Sequence, residues 1–368
     1  MSKDVYKVAV IGCGRIAGHH CRSIVSASGI EMVAVCDLVE EKAKAYGNEF
    51  SIPWFVNYHK MLRAFPEIDI VAVMTPSGMH WEHGMEIMKM YQKHLIIEKP
   101  TFLRPKQLLE AYATADELGL YIFPVFQNRY NLAVQRVKHA IDNGEIGDIH
   151  IMGVRVRWCR PDRYYNLAPW RGTFSHDGGA LTNQGIHHVD LLRYLCGEVE
   201  KVNATMCTLG ADIEVEDTVV ATFKYNSDTV GSLEVTTAAR PDDFEASLSV
   251  VGSKGLAQIG GIAVNELQVF TPDPEACQKH SENFSDCVYG NGHAAMYIDI
   301  AAFFLENRPY PINKDDCLNT IKLLHSFYRS DETGSWVVVD SDKESTRLGR
   351  TEENISNLYR TFLPNGVS

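Results

Sequence analysis

The sequence predicts an α/β protein of two domains: a doubly wound parallel sheet, then an α/β domain on a large, mostly antiparallel sheet. Three observations predict it. Short apolar runs alternate with helix-length segments from Val5 to Phe126. A Gly-x-Gly-x-x-Ala turn, Gly12-Cys13-Gly14-Arg15-Ile16-Ala17, separates the first such run from the first helix. From Glu200 onward strands dominate, with polar and apolar residues alternating along them.

Bulk properties narrow the class. A chain of 368 residues has room for two domains, and 22% charged with 45% hydrophobic residues is ordinary for a soluble globular protein. The formal net charge of -12 argues against nucleic acid and anionic membranes as main partners, though a local arginine cluster can still bind a small anion. The nine cysteines are scattered, odd in number and without a Cys-x-x-Cys pair, which suits a reduced compartment. Met1 to Lys7 runs directly into a strand without a signal-peptide core, and no apolar run is long enough to span a membrane. The expected location is cytoplasmic, and no metal is expected.

The first strand, Val5 to Ile11, feeds the glycine turn. Gly12 permits a tight bend, Gly14 lets the backbone approach a pyrophosphate, and Ala17 allows close helix–strand contact. The helix N-terminus offers free N–H groups to the phosphates. The second strand, Met32 to Cys36, ends at Asp37, where a ribose-binding carboxylate belongs. Asp37 would repel a 2′-phosphate, and Leu38 and Val39 follow rather than an arginine, so NAD is favoured over NADP. Helices over Glu40 to Phe50, Trp81 to Tyr91 and Pro105 to Leu118 alternate with strands over Ile68 to Met74, His94 to Ile97 and Tyr121 to Phe126. Ligands of such sheets sit at the carboxyl ends of strands. Thr75 to His80, Glu98-Lys99-Pro100 and Gln127 to Tyr130 occupy that edge. Lys99 stands out there: a lysine held at a cofactor cleft can accept a proton or position a hydroxyl, whereas most lysines are simply solvated. His80 begins a helix, and His83 reads as a surface residue.

The stretch Gly178 to Asp190 is the other candidate for chemistry. Asn183, His187 and Asp190 recur at spacings of four and three, so on one helix they would share a face beside a glycine-rich approach. The alternative is a buried helix start with a satisfied histidine.

Together these marks resemble the Gfo/Idh/MocA family: the Gly12 to Ala17 turn, Thr75-Pro76-Ser77-Gly78-Met79-His80, Glu98-Lys99-Pro100 and the Gly178 to Asp190 stretch. The resemblance implies an N-terminal Rossmann domain over 1–127. It implies a substrate-binding and oligomerisation domain over 128–368, whose open sheet often joins subunits into a homodimer or homotetramer. It also implies a nicotinamide cofactor, a sugar or cyclitol substrate, Lys99 as catalytic residue and a cis Lys99–Pro100 bond. The cofactor-binding set is then Gly12, Gly14, Arg15, Ile16, Asp37, Thr75, Ser77, His80, Glu98, Lys99 and Gln127.

In the second half a helix over Asn131 to Asn143 leads to a strand, His150 to Trp158. The run Cys159 to Gly172 then sets Tyr164, Tyr165 and Trp170 beside Arg160, Arg163 and Arg171. Arginines fork onto phosphates or carboxylates and aromatics stack on bases or sugars, but such a run can also be a loop packed by its aromatics. With Gly179 to His187 it looks like the subgroup that oxidises UDP-N-acetylhexosaminuronates in surface-polysaccharide biosynthesis. The family often has aspartate where this chain has Asn183; an amide cannot relay a proton, so Asn183 would hold a hydroxyl and His187 with Lys99 would transfer the proton. The substrate set is Asn128, Arg160, Arg163, Tyr164, Tyr165, Arg171, Asn183 and His187.

Strands follow over 201–209, 218–225, 231–237, 246–251 and 257–259, with a hairpin turn at Gly252 to Gly255. Cys277 to Gly292 could close over a substrate, with His293 at a helix start. Helices cover His293 to Glu306 and Lys314 to Tyr328. An arm from about 341, carrying Arg347, Arg350 and Arg360, lies over the domain or a partner. The expected activity is NAD-dependent oxidation of a secondary hydroxyl, at the third ring carbon of a nucleotide sugar. The alternatives are a dehydrogenase of a free sugar or inositol, an NAD-retaining glycosidase, and an NAD-bound regulator without turnover.

Overall fold

A computed structural model describes residues 3–284, 290–339 and 343–363. The chain forms two compact units. One comprises residues 1–125, 293–317 and 351–368; the other comprises 126–292 and 318–350. The first unit is thus assembled from three separate stretches rather than from one continuous N-terminal segment.

The first unit holds a parallel six-stranded sheet. Its strands are β1 (Tyr6–Ile11), β2 (Ile30–Cys36), β3 (Trp54–Phe55), β4 (Ile70–Val73), β5 (His94–Ile97) and β6 (Ile122–Pro124), in the order β3-β2-β1-β4-β5-β6. The order reverses beside β1, which is where such sheets bind ligands. All four residues of β4 are buried, as expected of a strand covered on both faces. The connecting helices are α1 (Ala17–Ser26), α2 (Glu40–Phe50), α3 (Tyr58–Ala64), α4 (His80–Tyr91) and α5 (Pro105–Leu118). Local chemistry sets the limits of α5: Pro105 at its first turn, the Gln107 side chain accepting the Arg104 N–H at 3.2 Å, and Gly119 at φ +66° after its end.

The second unit begins with α6 (Leu132–Asp142) and carries β7 (Ile149–Arg157). The short helices α7 (Asp162–Tyr165) and α8 (Gly179–Asn183) precede α9 (Ile186–Cys196). Then come β8 (Val199–Cys207), β9 (Thr218–Tyr225), β10 (Val230–Thr236), β11 (Glu245–Gly252), β12 (Leu256–Gly260), β13 (Glu266–Phe270) and α10 (Ala276–Lys279). The chain continues through α11 (Gly292–Leu305), α12 (Lys314–Thr333), β14 (Val337–Val338) and α13 (Glu353–Ser356). The eight-stranded sheet runs β13-β12-β11-β7-β10-β9-β8-β14, antiparallel except for β7 beside β10. β9 alternates buried and exposed residues, so one face packs on helices. Tyr225 donates to the Leu192 carbonyl of α9 at 3.0 Å, and Phe223 meets Phe327 of α12 edge-on. On the other face Val230, Ile151, Val251 and Leu256 stand opposite one another across four strands, all exposed.

Most expected elements appear within two residues of their expected limits. β3, α3, α7, β13, α10, β14 and α13 lie outside the expected elements. The C-terminal arm divides: Arg347 pairs with Asp331 and Glu332, and Arg350 with Glu214, in the second unit, while residues 351–363 belong to the first. Arg360 grips Glu82 of α4 at 2.6 and 2.8 Å, and the Tyr359 and Thr361 carbonyls meet His83 and His59. His83 is therefore buried, not on the surface as expected: its other nitrogen faces the Thr75 hydroxyl at 3.0 Å. Residues 285–289 of the expected closing segment and 340–342 at the start of the arm lie outside the described residues.

Candidate active site

In the first unit the dinucleotide loop joins β1 to α1. Gly12 has φ +92°, and a Cβ on it would sit 2.5 Å from the Met74 carbonyl oxygen, so only glycine lets the loop pass the end of β4. Nothing lies within 4 Å of where a Cβ of Gly14 would be, which leaves that backbone open to a ligand. Asp37 accepts the N–H of Cys13 at 2.7 Å and of Val39 at 2.8 Å. A carboxylate has about four acceptor sites, so capacity remains for ribose hydroxyls. Arg15 is exposed and Ile16, the N-cap of α1, is half-buried. An open glycine backbone, a helix N-terminus and an acid at the end of β2 fit a dinucleotide.

At the adjoining strand ends, Ser77 is buried in a single 3-10 turn, Ser77–Met79. His80 faces the Pro100 carbonyl with Nδ1 at 2.9 Å and the Thr75 carbonyl with Nε2 at 3.0 Å. Burial lowers its pKa, and both ring nitrogens are committed to the main chain. The Lys99–Pro100 bond is cis, as expected, and Lys99 is half-buried. Glu98 is buried beside it and accepts the Lys99 N–H at 3.1 Å. Its other oxygen is 3.0 Å from His20 Nε2.

In the second unit Gly178 to Asp190 is not one helix. Gly178 and Gly179 adopt φ of +82° and +88°, α8 ends at Asn183, and α9 starts at Ile186. Asn183 therefore does not share a helix face with His187 and Asp190, contrary to expectation. At the break, a Cβ on Gly185 would lie 2.9 Å from the Leu181 carbonyl oxygen. Asn183 donates to Asp177, whose other oxygen accepts the Gly172 N–H at 2.7 Å. His187 is buried, with Gln127 Nε2 donating to its Nε2 at 3.2 Å and Phe126 edge-on to its ring. Gln127, expected on the cofactor, thus has its amide on the histidine. Asn128 is half-buried in the same 3-10 turn, Gln127–Tyr130. Asp190 forms a buried two-bond pair with Arg129, at 2.7 and 2.6 Å.

The arginine–aromatic run forms a cluster. The Arg171 guanidinium lies 4.4 Å from the Tyr164 ring centre and 4.5 Å from that of Trp170, and donates to the Tyr164 hydroxyl at 2.6 Å. Gln184 donates to the same hydroxyl at 3.2 Å, tying the run to the α8–α9 junction. Arg160 pairs with Asp243 at 2.7 Å and lies over Trp158 and Tyr164. Arg163 is exposed. Tyr165 is core: it is buried, with its hydroxyl 3.0 Å from that of Thr237.

Two family models match: the NAD-binding Rossmann fold oxidoreductase family over residues 6–126 and the GFO/IDH/MocA C-terminal domain over 134–258. A WlbA dehydrogenase from Chromobacterium violaceum, solved with NADH and UDP-GlcNAcA, is 34% identical; the match covers 93% of this chain and 98% of that one, with a TM-score of 0.85. The chain belongs to the Gfo/Idh/MocA family of oxidoreductases. A second WlbA dehydrogenase, from Bordetella pertussis with the same two ligands, is 33% identical, with 93% and 100% covered and a TM-score of 0.87. D-glucoside 3-dehydrogenase of Escherichia coli is 29% identical over 65% of this chain and 72% of its own length. As a Gfo/Idh/MocA member the chain is an NAD-dependent oxidoreductase, in a family with sugar dehydrogenases among its members.

Within this Gfo/Idh/MocA chain, Asp177 and Glu216 stand around the site outside the expected residues, and Arg129 lies in the expected Gln127 to Tyr130 segment without a role assigned to it. Asp177 and Arg129 each sit beside motif residues and could have been flagged by proximity. Glu216 could not: it reaches the α8 turn from a distant strand end. It is buried, accepting from the Tyr328 hydroxyl at 2.7 Å and the Leu181 N–H at 3.1 Å. Burial outweighs these hydrogen bonds and raises its pKa to about 8. The Tyr328 hydroxyl also lies against the Gly178 carbonyl, so Tyr328 and Glu216 together brace the glycine turn that launches α8. Among the described residues no helix is long and apolar enough to cross a membrane.

Proposed function

We propose that the protein oxidises a secondary hydroxyl of a nucleotide sugar, at the third ring carbon of a UDP-N-acetylhexosaminuronate. The observation that carries this reading is the likeness, over nearly the whole chain, to two dehydrogenases solved with NADH and UDP-GlcNAcA. The cluster of Arg160, Arg171 and Tyr164, with the exposed Arg163 in the same run, supports it, because guanidinium groups fork onto phosphates and carboxylates. The third carbon is supported by relatives named D-glucoside 3-dehydrogenase and glucose-6-phosphate 3-dehydrogenase.

Gly12, Gly14, Arg15, Ile16 and Asp37 hold the dinucleotide, with Thr75, Ser77, His80, Glu98 and Gln127 shaping the nicotinamide end. Bound NAD supplies the hydride acceptor. Lys99 and His187 form the proton-transfer pair for the hydroxyl, since an alkoxide is costly without a base of suitable pKa. Asn183, its amide anchored on Asp177, and Asn128 hold ring hydroxyls. Tyr165 keeps Tyr164 in place by an edge-to-face contact at 5.1 Å. The enzyme works in the cytoplasm in surface-polysaccharide biosynthesis. It is a homodimer or homotetramer joined through the apolar row Val230, Ile151, Val251 and Leu256.

The test is a panel of UDP-sugars with NAD, followed by NADH absorbance. Turnover of UDP-GlcNAcA is expected, and no turnover of any UDP-uronate would sink the substrate assignment. Lys99→Ala should abolish turnover and spare NAD binding; unchanged turnover would remove Lys99 from the mechanism. A free-sugar dehydrogenase is the second reading, favoured by the D-glucoside 3-dehydrogenase and myo-inositol 2-dehydrogenase relatives. Activity on unmodified sugars alone would establish it.

A further inference from the structure

We propose that His20 and His293 are positioning residues for Lys99: together they fix the Glu98 carboxylate, and Glu98 fixes the Lys99 main chain. This rests on the catalytic role assigned to Lys99 above. All the groups lie in the first unit. His20 comes from α1, Glu98 follows β5, and His293 and Tyr297 come from the start of α11; all four are buried.

His20 Nδ1 is 2.8 Å from the Tyr297 hydroxyl, which sets the ring so that Nε2 meets Glu98 Oε1 at 3.0 Å. His293 Nε2 points at the same oxygen from 3.8 Å, with no hydrogen-bond partner for either of its ring nitrogens among the described residues. Burying a polar ring without a partner is costly, so packing alone does not account for it. Two imidazoles converging on one carboxylate oxygen do: they oppose the cost of burying its charge.

Burial pushes the Glu98 carboxyl up, but the hydrogen bond from His20 and the approach of His293, with the His20 and Lys99 charges, hold it well below the usual range. Among the described residues, His80 from α4 also faces Glu98, and His19 from α1 stacks on His293 with its ring centre 6.3 Å away. Burial lowers the pKa of His80 and of His293, and raises that of Tyr297. Glu98 therefore stays ionised across the working range. Its second oxygen remains a fixed acceptor for the Lys99 N–H, and a buried negative charge stays one residue from the Lys99 ammonium. Without either imidazole, burial dominates and Glu98 takes up a proton as the pH falls.

The experiment compares kcat between pH 6 and 9 for the full chain, His20→Gln, His293→Gln, Glu98→Gln and the His20→Gln/Glu98→Gln double variant, with NAD and UDP-GlcNAcA. A misplaced catalytic group loses about ten- to a hundredfold in rate. That loss is expected in both histidine variants at the acid end, shrinking relative to wild type as the pH rises. Glu98→Gln should lose a similar factor at every pH, and the double variant should be no worse than Glu98→Gln. A pH-independent loss in the histidine variants, or a double variant whose losses multiply, would overturn the proposal. If His20→Gln does not fold, His293→Gln and His293→Asn carry the same comparison. The three ligating atoms of His20, Glu98 and His293 also lie within 4.8 Å of one another. One equivalent of tightly bound divalent cation, measured by elemental analysis of the purified protein, would equally overturn the positioning role. Turnover by Lys99→Ala would instead defeat the underlying catalytic reading, whatever the histidine variants do.

Discussion

Replacing Glu216 by glutamine should flatten the pH dependence of stability in the second unit. The wild-type carboxyl is raised from 4.5 to about 8, chiefly by burial. A raised carboxyl binds its proton in the folded state while the unfolded chain has already released it. Its stabilising contribution is therefore complete below about pH 4.5 and is lost as the pH rises through about 8. Each unit between those limits removes about 1.4 kcal/mol, or about 5 kcal/mol in all. From pH 5.5 to 7.5 wild type should lose about 3 kcal/mol that Glu216→Gln keeps. Glutamine retains an acceptor for Tyr328 and Leu181 and brings no charge, so it mimics the protonated acid. The assay is urea denaturation at several pH values, following the transition of the second unit. Equal slopes for the two proteins would refute the burial argument.

Three further outcomes follow from the geometry. Gly12→Ala should cost about 1–3 kcal/mol for its left-handed φ, plus the clash with Met74, and weaken NAD binding; calorimetry and NAD titration measure both. Arg129→Met strands the buried Asp190 carboxylate and should destabilise by about 3–5 kcal/mol, seen as a lowered Tm. Asp37→Ala removes an acceptor for ribose and the barrier to a 2′-phosphate. NAD affinity should fall about tenfold, worth about 1.4 kcal/mol, while discrimination against NADP shrinks; titration of each dinucleotide reads this directly.

What was legible in the sequence was local. Glu40–Phe50, His94–Ile97 and Pro105–Leu118 have the expected limits because short buried strands read as apolar runs and Pro105 and Gly119 punctuate α5. β3, with two residues, is too short to show a period, and α3 is announced by little more than the cap of Asn57 on the Lys60 N–H at 3.1 Å. The motif glycines and Asp37 were legible because a dinucleotide loop constrains residue type along a short stretch. The partners of the site were not. Asp190 pairs with Arg129 from 61 residues away, and Leu181 is braced by Glu216 from 35 away. Periodicity placed Asn183 with His187 on one face; the chain instead turns between α8 and α9, where Gly185 packs against the Leu181 main chain four residues earlier, a local turn that spacing alone does not reveal.

The three-stretch make-up of the first unit orders events during synthesis. After Val125, residues 126–292 must emerge before His293 and Tyr297 exist, which takes roughly ten to thirty seconds at ribosomal speed. Through that interval Glu98 has His20 but neither of its α11 neighbours, and the two α3 and α4 histidines still wait for the Tyr359 and Thr361 carbonyls. The nascent dinucleotide domain is therefore left with buried-to-be polar groups unpaired until Tyr359 and Thr361 have emerged, a window in which chaperones have something to hold.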